Sequence, residues 1–298
     1  MSNVTSGTKQ QTWTILSLLD WSSRHLAEKG FESPRLSVEL LLSHALNCRR
    51  IELYTNFDKP LSSAELGSFK AGFKRLLGHE PLQYILGETE FMGLPFFVDR
   101  RVFIPRPETE ILVEEVIKLS KKMVSSQQAI LDVGTGSGNI AVSLAKFLPD
   151  VKIDAIDLSA GALEVAAINA ERNGMGENVR YMECDFLSQS EMLSGKQYDI
   201  IVSNPPYISQ EEFDLLPPEV RDFEPAIAST DRSHGLTFYK ALGVNCKKLL
   251  SAGGWIAVEM AYNQSEDVKK MFHGEGYRNI ETVLDYNGIQ RVAQAQLA

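Results

Sequence analysis

The chain has 298 residues, 44% of them hydrophobic and 23% charged, with a formal net charge of −9, the profile of a globular protein long enough for two domains. No apolar run approaches membrane-spanning length, and residues 1–11 are polar without a signal-peptide core, so a cytoplasmic location is expected. The charge is uneven: residues 1–85 carry 10 Lys/Arg and 8 Asp/Glu, so the acidic excess falls on the rest of the chain, a poor match for nucleic acid as the main ligand.

Residues 12–78 read as a small helical domain. Trp13, Leu16 and Leu19 with Ile15 and Leu18 form one apolar stripe, and Leu36, Leu40, Leu41 and Ala45 form another after Ser33-Pro34. A third helix is framed by Ser62 and Glu65 at capping-box spacing and by Gly78 as its stop, with Leu66, Phe69, Phe73, Leu76 and Leu77 between them. Nothing here is catalytic in type; a packed bundle and a partner-binding module both fit. Over residues 84–104 the period changes, and Tyr84-Ile85-Leu86, Gly87 and Leu94-Pro95-Phe96-Phe97-Val98 suggest a strand pair joining the two halves. A proline-stiffened loop follows, Phe103-Ile104-Pro105-Arg106-Pro107, which can present Phe103 and Arg106 over a pocket; Glu108 or Thr109 then opens a helix through Lys122.

From Ala129 the pattern is strand, glycine loop, helix, strand. Ile130-Leu131-Asp132-Val133 leads into Gly134-Thr135-Gly136-Ser137-Gly138, where glycine lets backbone approach a ligand closely at a strand's carboxyl end. The strand 151–157 then places Asp157 at its tip, where a carboxylate can take the two hydroxyls of a ribose. The third glycine falls one position early for a dinucleotide fingerprint, which disfavours a nicotinamide oxidoreductase and favours an adenosyl ligand without a pyrophosphate. Asp185 and Phe186 follow a third strand and suit an adenine amino group and ring.

The fourth strand, Ile200-Ile201-Val202-Ser203, ends in Asn204-Pro205-Pro206-Tyr207. The prolines lack N–H groups and stop the strand, leaving carbonyls as acceptors; Asn204 adds a side-chain oxygen and Tyr207 an aromatic face. Convergent acceptors under a flat ring suit a planar –NH2 group, an amide or the exocyclic amine of a base; a plain strand-ending turn is the alternative. Residues 209–231 form a proline- and acid-rich loop placed to cover the site, and helices and strands around 236–251, 255–260, 264–272, 280–284 and 290–293 complete the sheet. Cys48, Cys184 and Cys246 form no CxxC and the histidines lack ligand spacing, so no metal is expected.

Together Ser33-Pro34-Arg35, residues 104–110, Leu131 to Gly138, Asp157, Asn204 to Tyr207, Phe223-Glu224-Pro225 and residues 285–292 resemble the PrmC/HemK family, methyltransferases of the glutamine in the Gly-Gly-Gln motif of class-1 peptide chain release factors. The resemblance implies an α/β fold: a class I S-adenosylmethionine-dependent methyltransferase with a Rossmann-like seven-stranded sheet and a reversed last hairpin, and a small N-terminal helical bundle. It implies a release-factor-binding helical domain over residues 1–83, a β-hairpin linker over 84–104 and a methyltransferase domain over 105–298. It assigns S-adenosylmethionine to Gly134, Thr135, Gly136, Ser137, Gly138, Asp157, Asp185, Phe186 and Asn204. The glutamine goes to Asn204 and Pro205, flanked by Phe103, Arg106, Pro206 and Tyr207, with Asn204, Pro205 and Tyr207 in the catalytic role. A monomer without metal, membrane or nucleic-acid partner is expected. The competing readings are an adenine amino-methyltransferase of nucleic acid, a methyltransferase of another protein's glutamine, and a nucleotide-binding adaptor.

Overall fold

The structure is a computed structural model and describes residues 12–123 and 127–298; the polar stretch 1–11 lies outside them. It divides into two compact units between Leu86 and Gly87.

The first unit holds α1 (Ile15–Glu28), α2 (Pro34–Leu46), α3 (Arg50–Thr55), α4 (Ser63–Leu77) and α5 (Leu82–Leu86). Capping boxes start α1 on Thr14 and Ser17 and α4 on Ser62 and Glu65, and Gly78 ends α4. Ile15, Leu18, Leu19, Ser22 and Leu26 face inward at helical spacing. Leu16 and Leu36, read from the sequence as part of the stripes, are 36% and 42% exposed, because each sits off the face that meets the bundle. The strand expected at Tyr84-Ile85-Leu86 is instead α5. The Tyr84 and Ile85 N–H groups donate to the Pro81 carbonyl, and Ile85 packs into the helical core with Phe69 and Leu41, so burial decides against β propensity.

The second unit opens with the hairpin β1 (Glu88–Phe91) and β2 (Leu94–Phe97), followed by α6 (Glu108–Lys122), β3 (Gln128–Val133), α7 (Asn139–Phe147), β4 (Val151–Asp157), α8 (Ala160–Arg172), β5 (Val179–Glu183) and β6 (Tyr198–Ser203). Three short helices, α9 (Gln210–Phe213), α10 (Pro218–Arg221) and α11 (Ala226–Ser229), lie within the proline- and acid-rich loop 209–231. Then come α12 (Thr237–Leu249), β7 (Leu250–Glu259), α13 (Ser265–Gly274), β8 (Arg278–Leu284) and β9 (Gln290–Gln296). The seven-stranded sheet has the order β5-β4-β3-β6-β7-β9-β8, parallel except for β9, which lies antiparallel between β7 and β8.

Along β3 the faces alternate, Ile130 packing with the α6 and α7 side and Leu131 with the α12 and α13 side, so both faces of the sheet are covered. The chain runs outward from β3 in one direction and from β6 in the other. The crevice at the carboxyl ends of these two neighbours is the switch point where open α/β sheets bind ligands.

The hairpin falls within this second unit. Asn169 of α8 accepts from the Phe97 N–H at 2.6 Å and donates to the Phe97 and Ser137 carbonyls at 2.9 and 2.8 Å, while Asn173 donates to the Pro95 carbonyl. One buried amide therefore ties the hairpin to the glycine loop.

Candidate active site

A cavity of about 490 Å³ opens at the carboxyl ends of β3, β4 and β6, within the size range of small-ligand sites. Gly134, Thr135, Gly136 and Ser137 line it from the first loop, Asp157 from the tip of β4, and Asp185 with Phe186 from the end of β5. Asn204, Pro205, Pro206 and Tyr207 line it from β6, and Phe103 and Arg106 from the loop before α6.

Gly138 is the one predicted site residue outside the lining. It caps α7 at φ +79°, and a Cβ there would stand 2.9 Å from the Ala166 Cβ, so its glycine serves the packing of α8 against the loop. Gly134 and Gly136 differ: their φ values are +74° and +54°, yet an added Cβ would meet no atom within 4 Å. These two leave a bare backbone rim on the cavity.

The rim is fixed from below and from the side. The Gly134 and Thr135 N–H groups donate to the Ile156 carbonyl, each at 2.9 Å. Asp157 accepts from the Gly136 N–H through Oδ2 and from the Ser159 N–H through Oδ1, both at 2.9 Å, which leaves further lone pairs on each oxygen for a ligand. Burial pushes its carboxyl above the ordinary range, while the Ser159 and Gly136 N–H groups pull the other way. Asp185 accepts from the Leu187 N–H and the Ser188 hydroxyl, an Asx-type turn that fixes the carboxylate at the rim, and Phe186 is buried beside it. In chemistry these residues fit an adenosyl ligand: a carboxylate with lone pairs to spare, a bare glycine edge and an apolar wall.

At the other end of the cavity, Asn204 Nδ2 donates to Thr109 Oγ1 at 3.1 Å. Tyr207 OH donates to Glu259 Oε1 at 3.0 Å, and the Tyr207 carbonyl accepts from Gln264 Nε2 at 2.9 Å. Gln264 is itself held by Tyr239 OH, which also donates to the Glu259 carbonyl. Gly235 passes close beneath: a Cβ there would lie 2.3 Å from the Tyr207 carbonyl oxygen. Tyr207 is thus seated at both its backbone and its hydroxyl. Burial, then the neighbouring Glu259 charge, raise its phenol above the ordinary value.

Residues 17–87 match the PrmC N-terminal domain and residues 107–216 the methyltransferase small domain. A release factor glutamine methyltransferase of Geobacter sulfurreducens is 43% identical over 289 residues, covering 97% of this chain and 99% of the relative. One from Chlorobaculum tepidum is 40% identical over 287 residues, covering 95% and 97%. The chain belongs to the release factor glutamine methyltransferase family. Among solved structures, the hMettl16 catalytic domain in complex with MAT2A 3′UTR hairpin 6 aligns with a TM-score of 0.55 at 17% identity, covering 69% of this chain and 76% of that one. The fold is that of a class I S-adenosylmethionine-dependent methyltransferase.

In this family member Arg106 is committed within the protein. Its guanidinium pairs with the buried Glu224 and lies 4.4 Å over the Phe103 ring, while Glu224 Oε2 also accepts from the Ile104 N–H at 3.1 Å. Burial raises the Glu224 carboxyl and the Arg106 charge lowers it. Arg106 therefore joins the proline loop to the Phe223-Glu224-Pro225 segment, and Phe103 is held against it.

Sequence reasoning gave no role at the site to Thr109, Glu224, Glu259 or Gln264; it read Thr109 as a helix opener and Glu224 as part of the family resemblance. Glu259 carried a usable signal, a carboxylate ending the apolar run of β7 and only 1% exposed. Among the described residues no helix is long and apolar enough to cross a membrane, and no group of three His, Cys, Asp or Glu side chains is placed to hold a metal ion.

Proposed function

We propose that this chain transfers a methyl group from S-adenosylmethionine to the side-chain amide nitrogen of the glutamine in the Gly-Gly-Gln motif of class-1 peptide chain release factors. The observation that carries the reading is the Asn204 side chain: its nitrogen is engaged by Thr109, and among the described residues neither its oxygen nor the Pro205 carbonyl receives a hydrogen bond. These two acceptors match the two N–H groups of a primary amide.

S-adenosylmethionine supplies an electrophilic sulfonium methyl. Gly134 to Ser137, Asp157, Asp185 and Phe186 are the residues that would hold it. Asn204 and Pro205 accept from both amide N–H groups, which keeps electron density on a nitrogen whose lone pair is otherwise delocalised and orients that lone pair. Tyr207 and Phe103 flank the amide and exclude alternative poses. As the new N–C bond forms, the sulfonium S–C bond would break to leave a neutral thioether, the nitrogen becomes acidic, and its proton leaves to water or along the hydrogen bond to Asn204 or Pro205. No protein nucleophile is needed; orientation and fixed acceptors supply the acceleration. The helical unit is proposed to grip the release factor away from the reacting glutamine.

The test is transfer from labelled S-adenosylmethionine to a purified release factor, to the same factor with its Gly-Gly-Gln glutamine replaced, and to RNA and DNA. Label on the intact factor alone is expected. Asn204→Ala should lower turnover by about 100-fold or more while S-adenosylhomocysteine affinity changes little. Equal labelling of the replaced factor, or label on nucleic acid, overturns the acceptor.

A further inference from the structure

An asparagine amide has nearly the same shape in its two flips, so sterics alone do not decide which end faces a ligand; its hydrogen-bond partners do. At Asn204 the difference is functional. With the oxygen toward the acceptor amide, acceptor meets donor; with the nitrogen there, two –NH2 groups face each other.

The partner that decides is Thr109, 1% exposed in the first turn of α6, whose Oγ1 stands 3.1 Å from Asn204 Nδ2. A hydroxyl both donates and accepts, so Thr109 by itself would tolerate either flip. Glu259 removes that freedom. It is 1% exposed at the end of β7, its Oε1 accepts from Tyr207, and its Oε2 is buried without a hydrogen bond of ordinary geometry. A buried carboxylate oxygen left without a donor is costly; burial raises the Glu259 carboxyl, and the Thr109 hydroxyl, then Tyr207, pull it back toward the ionised form.

We infer that Thr109 and Glu259 are positioning residues for methyl transfer: Glu259 draws the Thr109 proton, Thr109 Oγ1 must then accept from Asn204 Nδ2, and the Asn204 oxygen is thereby turned toward the acceptor amide. The same carboxylate holds Tyr207, so one buried charge orients both the acceptor group and the flanking ring. The inference rests on the proposed reaction for its consequence and on the Asn204 hydrogen bond for its geometry.

The experiment compares wild type with T109V, T109S and E259Q by three readouts: kcat for transfer to the release factor, calorimetric affinity for S-adenosylhomocysteine, and the Asn204 side-chain amide resonance. T109V keeps the side-chain shape but removes the relay, and should lower kcat by about 100-fold, in the range of losing one fixed polar contact to a reacting group. T109S keeps the hydroxyl and should restore turnover. In E259Q the new amide accepts from Tyr207 through its oxygen and presents N–H to Thr109, which then donates to the Asn204 oxygen; turnover should fall as in T109V. Cofactor-product affinity should hold in all three. The Asn204 resonance should move in T109V and E259Q and stay in T109S.

Wild-type turnover in T109V, or a loss in T109S equal to that in T109V, overturns the inference. If wild type fails to methylate the factor, the proposed function fails instead, and the resonance still reads the relay. An unmoved resonance in both T109V and E259Q refutes it without reference to any substrate.

Discussion

Asp132 lies at the foot of the glycine loop, fully buried, with Thr135 Oγ1 donating to its Oδ2 at 2.7 Å. Burial pushes its carboxyl up to about 7, hydrogen bonds from Thr135 and the Ala141 N–H oppose the rise, and the Asp157 charge adds to it. An unfolded aspartate ionises near pH 4. Between that pH and about 7 the folded chain holds a proton that the unfolded chain has released. The Asp132 contribution to stability therefore declines as pH rises through this window and is constant above it. Asp132→Asn keeps an acceptor for Thr135 but removes the titration. Its stability relative to wild type should climb with pH from near equality at pH 4 to a plateau near pH 7, by at most about 4 kcal/mol. Urea unfolding of both proteins across pH 4 to 8 measures this directly, and a pH-independent difference would sink the assignment. Such a buried acid is a cost the fold carries in order to brace the loop that forms the cavity rim.

The glycine loop has the clearest local pattern in the chain, yet its glycines serve two different ends. At Gly138 a methyl group would meet the Ala166 Cβ at 2.9 Å and its Cα at 3.1 Å in a left-handed conformation. Gly138→Ala should cost roughly 2–4 kcal/mol, combining the backbone penalty with overpacking of α7 against α8. At Gly136 only the backbone penalty applies, roughly 1–2 kcal/mol, but the methyl group occupies the open rim. Chemical denaturation should rank Gly138→Ala the less stable, and calorimetry should rank Gly136→Ala the weaker binder of S-adenosylhomocysteine. Parallel losses in both measurements would show that the loop acts as one unit. Spacing alone could not separate these glycines, because the distinction depends on α8, which folds back from later in the chain. The same limit explains what else was legible. Capping boxes at Ser62 and β-branched runs such as Ile200 to Val202 are local, and they placed α4 and β6. The strand ends placed Asp157 and Asn204. Thr109 and Asn204, and Tyr207 and Glu259, meet across elements far apart in sequence, and Asn169 reaches the hairpin 72 residues away; no local period marks such pairs. Tyr84-Ile85-Leu86 misled for the converse reason: its β-prone residues are overruled by the helical core they enter.

At the scale of the molecule, each unit closes a core of its own. Leu19, Leu42 and Phe69 are fully or almost fully buried among helices of the first, while the second buries residues on both faces of a seven-stranded sheet. The cavity, from Arg101 to Phe238, is lined by the second unit alone. Residues 87–298 should therefore fold cooperatively without the helical unit and bind S-adenosylhomocysteine as the whole chain does, since no residue of that site is removed. Transfer to a short peptide carrying Gly-Gly-Gln should also survive, because Asn204, Pro205, Thr109 and Glu259 remain. Transfer to an intact release factor is a different matter. A second grip raises the effective concentration of the glutamine at the cavity, so its removal should lower kcat/KM for the intact factor by about tenfold or more while leaving the peptide reaction unchanged. Steady-state kinetics on both acceptors separates the outcomes. A shortened chain that treats the intact factor as the full chain does would strip the helical unit of any part in recognition and leave the acceptor to be selected at the cavity mouth, by the loop that carries Glu224 and Ile227.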